Sequence, residues 1–442
     1  MNRMLLLPAV CIGLGSVLSQ AAVPLVTDGR ARAVIVTADR PGAVSQYAAQ
    51  ELADHVVLAT GAHLPVIKES ELKPGAGSRI FVGDCKAARE AGIDPSSLGA
   101  ETFVLRTRGD ALYIAGNDSG GDPLDSDTRA GTLWGVYEWL DQSLHVRWLW
   151  PGDLGTFVPK AKSIIAADCD ETIPPRFFQR KLRAGLGTLG EHAALGFSGK
   201  AFEKYSHDQN VFLRRHRMGR SFRMSYGHAF TDWWKKYGAE HPGWFQLRED
   251  GERGPRKPTA RYSMCVSNPE FQRQIISLWS EKHQSYPGIP SFINACENDI
   301  PGGCACDACL ALDGTTPKDY LKFYSANSKV AGTRFVSDRY AHFWLDLQQL
   351  AAKTDPEATV IGYVYFNYFQ APTSGIKLNP HILLGFCPST GWYPRSAEEH
   401  DWMKRQWTGW RDTGARLFMR TNYLLDGYCM PFIFAHQFAD DF

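Results

Sequence analysis

The chain has 442 residues, 21% of them charged and 12% aromatic, with 13 tryptophans and a formal net charge of +1. This is the composition of a folded protein with ample core, in two or three domains, and it excludes a disordered chain. So even a charge balance supplies no basic field for nucleic acid or an anionic membrane surface, and no nucleic-acid partner is expected. The aromatic excess suits a carbohydrate binder, because sugar faces stack on Trp and Tyr, and suits an ordinary large core nearly as well.

Met1-Asn-Arg-Met4 is a short basic region, followed by an apolar run from Leu5 to Leu18 and by small residues, Ser19-Gln-Ala21, before Ala22. This reads as a cleavable signal peptide over residues 1–21, too short in its apolar part to span a bilayer. No other stretch approaches a membrane span, so the expected location is secreted or periplasmic. Ala33–Val36 is a short strand. Val44–Thr60 has helical spacing, with Tyr47, Ala48, Leu52, His55, Val56 and Ala59 on one stripe, and Gly61 stops it. Leu64–Ile67 and Arg79–Gly83 are further strands, and Glu101–Arg106 with Ala111–Ala115 reads as a hairpin around Arg108-Gly-Asp110. Gly116–Thr128 is a polar, flexible loop rich in Asp, and Ala130–Leu144 is a helix burying Leu133, Val136, Tyr137 and Leu140. Residues 22–170 are therefore expected to form a small α/β sandwich domain, both helices on one sheet.

Tyr47-Ala-Ala-Gln-Glu-Leu-Ala53 with Thr60-Gly-Ala-His-Leu-Pro65 resembles the helix–turn–strand that opens the amino-terminal domain of family 67 alpha-glucuronidases. Gly131–Leu140 and Val146-Arg-Trp-Leu-Trp-Pro-Gly152 resemble its closing helix and exit strand, and the same accessory domain precedes the barrel of family 20 hexosaminidases. Downstream, His241-Pro-Gly-Trp-Phe245, Cys265-Val-Ser-Asn-Pro-Glu270 and Glu297-Asn-Asp299 with its Cys-x-Cys-x-x-Cys segment resemble the bacterial family called domain of unknown function 4838. The resemblance spans nearly the whole mature chain and implies an alpha-glucuronidase- or hexosaminidase-type domain followed by a glycoside-hydrolase-like (β/α)8 TIM barrel.

Pro174-Pro175 marks the linker. Beyond it, over 175–442, strands alternate with helical stretches at Pro269–His283 and Ser337–Lys353, the pattern of a parallel barrel. The strands are Phe177–Leu182, Arg220–Tyr226, Tyr262–Val266, Ser291–Cys296, Thr359–Phe366, Ile382–Cys387 and Arg416–Thr421. A closed barrel needs eight, so the expectation is a TIM barrel truncated before its last strand, and a chain that is a fragment.

Polar residues gather at the predicted carboxyl ends of these strands, where such barrels build their sites. They are Arg180, Arg183, Tyr226, His228, Asn268, Asn298, Tyr365, Asn367, Tyr368, Trp392, Tyr393, Asn422 and Tyr423, which together supply the planar donors and stacking faces of a sugar subsite. His228 alone reads more often as a satisfied structural histidine, and it is the clustering over several strand ends that supports the site. Extension of Ser291–Asp299 as a strand puts Ala295, Glu297 and Asp299 on one face. The plain reading is a strand-end turn with a salt bridge; the functional one is a catalytic pair. In that reading the turn Ile300–Gly303 bonds Asp299 and holds it ionised, while burial and like charge raise Glu297 into a general acid. Hydrolysis of a glycoside uses two carboxyl groups across one ring; Asp426 is the candidate partner, with a group on the missing eighth strand or assistance by the substrate as the alternatives. The adjacent Asp-Glu pair of family 20 is absent here, which puts hexosaminidase chemistry in doubt. The expected substrate is a poly- or oligosaccharide, uronic-acid-containing by the resemblance. A binder without turnover on the same scaffold is the alternative.

No cofactor is required by this chemistry. Cys304, Cys306 and Cys309 have the spacing of thiolate ligands, with Cys296 or Cys265 as the fourth for a structural zinc. A disulfide pinning the loop is the competing reading in an exported protein, and free thiols the third.

Overall fold

The computed structural model describes residues 22–75, 77–181, 196, 198–221, 224, 226–285, 292–316, 336–388, 396–420, 436 and 439–440. The chain divides into two compact units, Met1–Arg223 and Met224–Phe442. Together they make a mixed α/β protein.

The first unit is built on six strands: β1 (Ala33–Thr37), β2 (Val66–Lys68), β3 (Ser78–Val82), β4 (Phe103–Arg108), β5 (Ala111–Gly116) and β6 (Asp170–Ile173). Their order is β6-β4-β5-β3-β1-β2. The three pairings from β5 to β2 are parallel, while β5-β4 and β4-β6 are antiparallel. Helices α1 (Ala43–Thr60) and α2 (Gly131–Leu144) share one core with this sheet. Val44, Ala48, Leu52, Val56 and Ala59 form the buried stripe of α1, and Gly61 ends it at φ +74°, its N–H bonded to the Val57 carbonyl at 2.8 Å. The Asp-rich loop read as flexible is tied inward: Asp118 Oδ1 accepts the Thr132 amide at 2.8 Å at the start of α2, and Asp127 pairs with Arg220.

The division between units falls later than the Pro174-Pro175 linker, and arginines show why. Arg180 bonds the buried Glu101 at 2.9 Å, and α3 (Gly199–Arg215) delivers Arg214 over the Trp134 ring at 4.3 Å and Arg215 to Glu51 at 3.0 Å. Gln179–Arg180 pairs antiparallel with Gly219–Arg220, so the first two expected barrel strands are not parallel neighbours.

The second unit carries a parallel sheet of β7 (Phe292–Asn294), β8 (Thr359–Val364), β9 (Ile382–Phe386) and β10 (Arg416–Met419), in that order. Every residue of β8 and β9 is buried, as strands covered on both faces must be. Helices α4 (Pro269–Ser285), α6 (Ser337–Ala351) and α7 (Ala397–Asp412) contribute to one core with these strands, and the short α5 (Asp307–Leu312) follows β7. The fourth to seventh expected strands are thus parallel neighbours. The third, Tyr262–Val266, instead meets Trp244–Gln246 antiparallel: the Cys265 amide bonds Trp244 O at 2.8 Å and the Gln246 amide bonds Ser263 O at 3.0 Å. Among the described residues the parallel sheet has four strands and no closed barrel forms. No described helix is long and apolar enough to cross a membrane.

Candidate active site

Val364, Phe386 and Met419 end β8, β9 and β10 level with one another, while β7 ends at Asn294, level with Ile361. After one further bond, from the Ala295 amide to Ile361 O at 2.8 Å, the chain leaves the sheet and its polar groups bind neighbouring loops. Asn294 Nδ2 donates to Gly227 O at 2.9 Å, and the Ala229 amide donates to Cys296 O at 3.0 Å. Asn298 is buried, accepting from the Phe230 amide at 3.2 Å and donating to Tyr262 O at 3.0 Å. Strand alternation therefore does not govern Glu297 and Asp299, which occupy different environments.

Glu297 lies inside, 2% exposed. Oε1 accepts the Asn298 amide at 2.8 Å; Oε2 accepts the Met264 amide at 3.1 Å and the Tyr340 hydroxyl at 3.0 Å. Burial pushes its carboxyl up to about 7, against the lowering effect of those three bonds. The direction is the one read from sequence. Desolvation is its main cause.

Asp299 is part-exposed. Tyr365 donates its hydroxyl to Oδ1 at 3.0 Å, and Arg261 Nη1 lies 2.5 Å from Oδ2. His228 Nε2 stands 3.9 Å from Oδ1, and its Nδ1 is 2.7 Å from Glu297 O. A carbonyl only accepts, so Nδ1 carries a proton towards Glu297 O, which turns Nε2 towards Asp299. Burial and the facing carboxylate push the Tyr365 hydroxyl above its ordinary range, so it remains a donor. The turn amides expected on Asp299 are used elsewhere: Ile300 N bonds Asn298 O and Gly302 N bonds Asn367 Oδ1.

Of the sequence-selected residues, Asp299, His228 and Tyr365 are brought together. Asn268 instead caps α4, its Oδ1 accepting the Glu270 and Phe271 amides at 2.9 and 3.1 Å. Asn367 clasps Gly302 reciprocally, accepting its amide and donating to its carbonyl, both at 2.9 Å. Arg180 belongs to the first unit and its internal ion pair. Tyr368 is buried against Tyr340, ring centroids 4.2 Å apart, and Tyr226 packs edge-on to Phe418. Arg183, Trp392, Tyr393, Asn422, Tyr423, Asp426 and the signal segment lie outside the described residues.

Sequence reasoning missed Arg261, which precedes an expected strand and gives no signal beyond that position. It also missed Arg420, which follows Met419, donates to Cys387 Sγ at 3.2 Å and sits 4.7 Å from the Tyr363 ring centroid. Phe366, next to Tyr365, adopts φ +44°, a region non-glycine residues rarely take and one found often at functional sites.

Cys265, Cys304, Cys306 and Cys309 converge, their sulfurs all within 4.8 Å of one another. Cys296 is not among them; its sulfur faces Ile361 O at 3.8 Å.

A mixed α/β chain with a polar cluster at the carboxyl ends of parallel strands is the class these observations define. The family described as Domain of unknown function (DUF4838) matches residues 150–433, and the chain belongs to that family. No curated protein matches it. Among solved structures it is similar to a family GH115 4-O-methyl-alpha-glucuronidase with specificity for decorated arabinogalactans, at 12% identity and a TM-score of 0.43, covering 95% of this chain and 56% of that one. It is also similar to the Streptomyces plicatus N-acetyl-beta-hexosaminidase, at 12% identity and a TM-score of 0.33, covering 90% and 72%. A GH138 enzyme targeting pectin rhamnogalacturonan II gives 11% identity and a TM-score of 0.26, covering 90% and 59%. These neighbours are glycoside hydrolases, and the chain spans little more than half the length of the first and third.

Proposed function

We propose that this chain is part of an exported glycoside hydrolase acting on poly- or oligosaccharides, uronic-acid-containing ones among them, at the carboxyl ends of its parallel strands. The observation that carries the reading is the gathering of Asp299, Tyr365, His228 and Arg261 there, a carboxylate among donors that suit sugar hydroxyls or a sugar carboxylate. Asp299 is the carboxyl that meets the substrate. Glu297, with both oxygens bonded internally, is the positioning group beneath it rather than the acid. Two-carboxylate hydrolysis needs a partner across the ring, and Asp426 remains the candidate from sequence.

A binder without turnover is the second reading. It is favoured by one fact: among the described residues, the contacts of Asp299 include two potential cations and a hydroxyl but no second carboxylate. Full-length protein assayed against aryl glycosides and uronic-acid oligosaccharides separates the two. For a hydrolase, Asp299→Asn is expected to lower kcat by about 100-fold or more while oligosaccharide affinity changes only a few-fold. Binding by the wild type without turnover on any member of the panel would leave the binder.

A further inference from the structure

We infer that Cys265, Cys304, Cys306 and Cys309 form a structural zinc site. Two of the sulfur separations are 3.6 Å (Cys265 to Cys306) and 4.0 Å (Cys265 to Cys309). Zinc–thiolate bonds of about 2.3 Å in a tetrahedron put neighbouring sulfurs about 3.8 Å apart, between those two values. A disulfide would bring one pair to about 2.05 Å and would use the sulfurs two at a time. It gives no reason for four to meet at one point.

The ligands come from two places in the second unit. Cys265 is on the Tyr262–Val266 segment; Cys304 and Cys306 follow the Pro301-Gly-Gly turn; Cys309 sits in the first turn of α5. The turn can lie this close only because Gly302 has no side chain, since a Cβ there would stand 2.7 Å from the Tyr340 ring.

The surroundings are those of bound thiolates. The Leu247 amide points at Cys304 Sγ from 3.3 Å, and Ser267 Oγ is 3.1 Å from Cys309 Sγ. Donors of this kind orient metal-bound sulfur and spread its charge. The buried Arg339 guanidinium donates to Cys304 O at 2.6 Å and pairs with Asp313, placing a cation beside the loop. Binding converts four thiols and Zn2+ into a tetrathiolate complex of net charge −2, with four protons released to solvent. Four protein ligands close the coordination shell, so no position is left for water and the ion is structural.

Its effect reaches the candidate active site. Joining Cys265 to Cys304, Cys306 and Cys309 fastens the loop after Asp299 to the segment whose Met264 amide holds Glu297 and whose Ser263 hydroxyl accepts the Gly303 amide at 3.0 Å.

The test is metal analysis of the full-length protein with thiol mapping. One zinc per chain is expected to survive dialysis, with these four thiols shielded from alkylation until a mercurial displaces the metal. Wild type reconstituted with Co2+ is expected to show the intense visible absorption of tetrahedral thiolate coordination, a readout independent of any variant. Cys306→Ser with Cys309→Ser should lose the stoichiometric zinc, while Cys169→Ser, in the first unit, keeps it. Disulfide-linked peptides among the four under non-reducing conditions would overturn the site. So would free alkylation of all four without bound metal, or iron found in place of zinc.

Discussion

Asp299 and Glu297 stand two positions apart, and solvent treats them oppositely. Asp299 meets its partners at a part-exposed surface, whereas Glu297 is enclosed by the Met264 and Asn298 amides and by Tyr340. A glutamate whose folded value is raised from 4.5 to about 7 binds its proton more tightly in the native state than in the unfolded chain. Its contribution is therefore fully present below about pH 4.5 and is lost as pH rises through 7, by about 3 kcal/mol in all. The facing hydroxyls of Tyr340, Tyr368 and Tyr262 are themselves raised by burial and do not titrate in that window. Glu297→Gln removes the titration and leaves one amide short of an acceptor, costing about 1–3 kcal/mol at acid pH. Chemical unfolding of both proteins from pH 4 to 8 is expected to show the wild type losing ground to the variant across the window. Parallel curves would place Glu297 at an ordinary value. The greater depth of Glu297 and the direction of its shift were legible from Glu297-Asn-Asp299 in the sequence; the set of partners around each carboxyl was not. It depends on Asn294 and Asn298 bonding adjacent loops, which ends the strand at Asn294 and breaks the alternation that would have put both groups on one face.

At the scale of elements, packing against the parallel sheet sets what each residue can be. Gly362 lies in the middle of β8, and a Cβ there would stand 2.4 Å from the Trp344 indole of α6. The helix lies close to the strand because that position has no side chain. Gly362→Ala is expected to cost about 1–3 kcal/mol by overpacking, against the few tenths that an exposed strand glycine would show, and equilibrium denaturation measures it. Elements whose signals are local were read well. The α1 stripe and its Gly61 stop, the hairpin of β4 and β5, and the parallel strands β8 to β10 follow from spacing and turn residues. Elements whose polar groups have long-range partners were misread. Asn268 was read as a sugar ligand, but its Nδ2 donates to the distant Gly243 O at 3.0 Å while its Oδ1 caps the helix that Pro269 opens. Tyr262–Val266 has a strand's composition, but its ladder is with Trp244–Gln246, a partner that periodicity does not name. Arg180 had a position consistent with a barrel strand, and only the fold brings Glu101 to it.

For the whole molecule, the cores decide how the chain unfolds. The cluster of α1, α2 and the mixed sheet draws its buried members from Val23 to Ala166, and the cluster around the parallel sheet draws its own from Phe230 to Ala415. Each lies within one compact unit, Met1–Arg223 or Met224–Phe442. Two cores of this kind give two cooperative units, each with its own unfolding enthalpy. Leu52 in α1 and Leu347 in α6 are both fully buried, one in each core. Replacing either by alanine is expected to cost about 2–5 kcal/mol, from lost transfer energy and the cavity left behind. For domains of this size that corresponds to a Tm shift of roughly 4–20 °C. Calorimetry of the full chain should therefore resolve two transitions, with Leu52→Ala lowering one and Leu347→Ala the other. The linker read at Pro174-Pro175 would predict the same assignment for these two leucines, so a third variant locates the boundary. Arg215, on α3, pairs with Glu51 on α1, and Arg215→Ala leaves that carboxylate without its cation. With the boundary at Arg223, Arg215→Ala lowers the transition that Leu52→Ala lowers and leaves the other in place. A shift of the Leu347 transition instead would return residues 175–223 to the second unit.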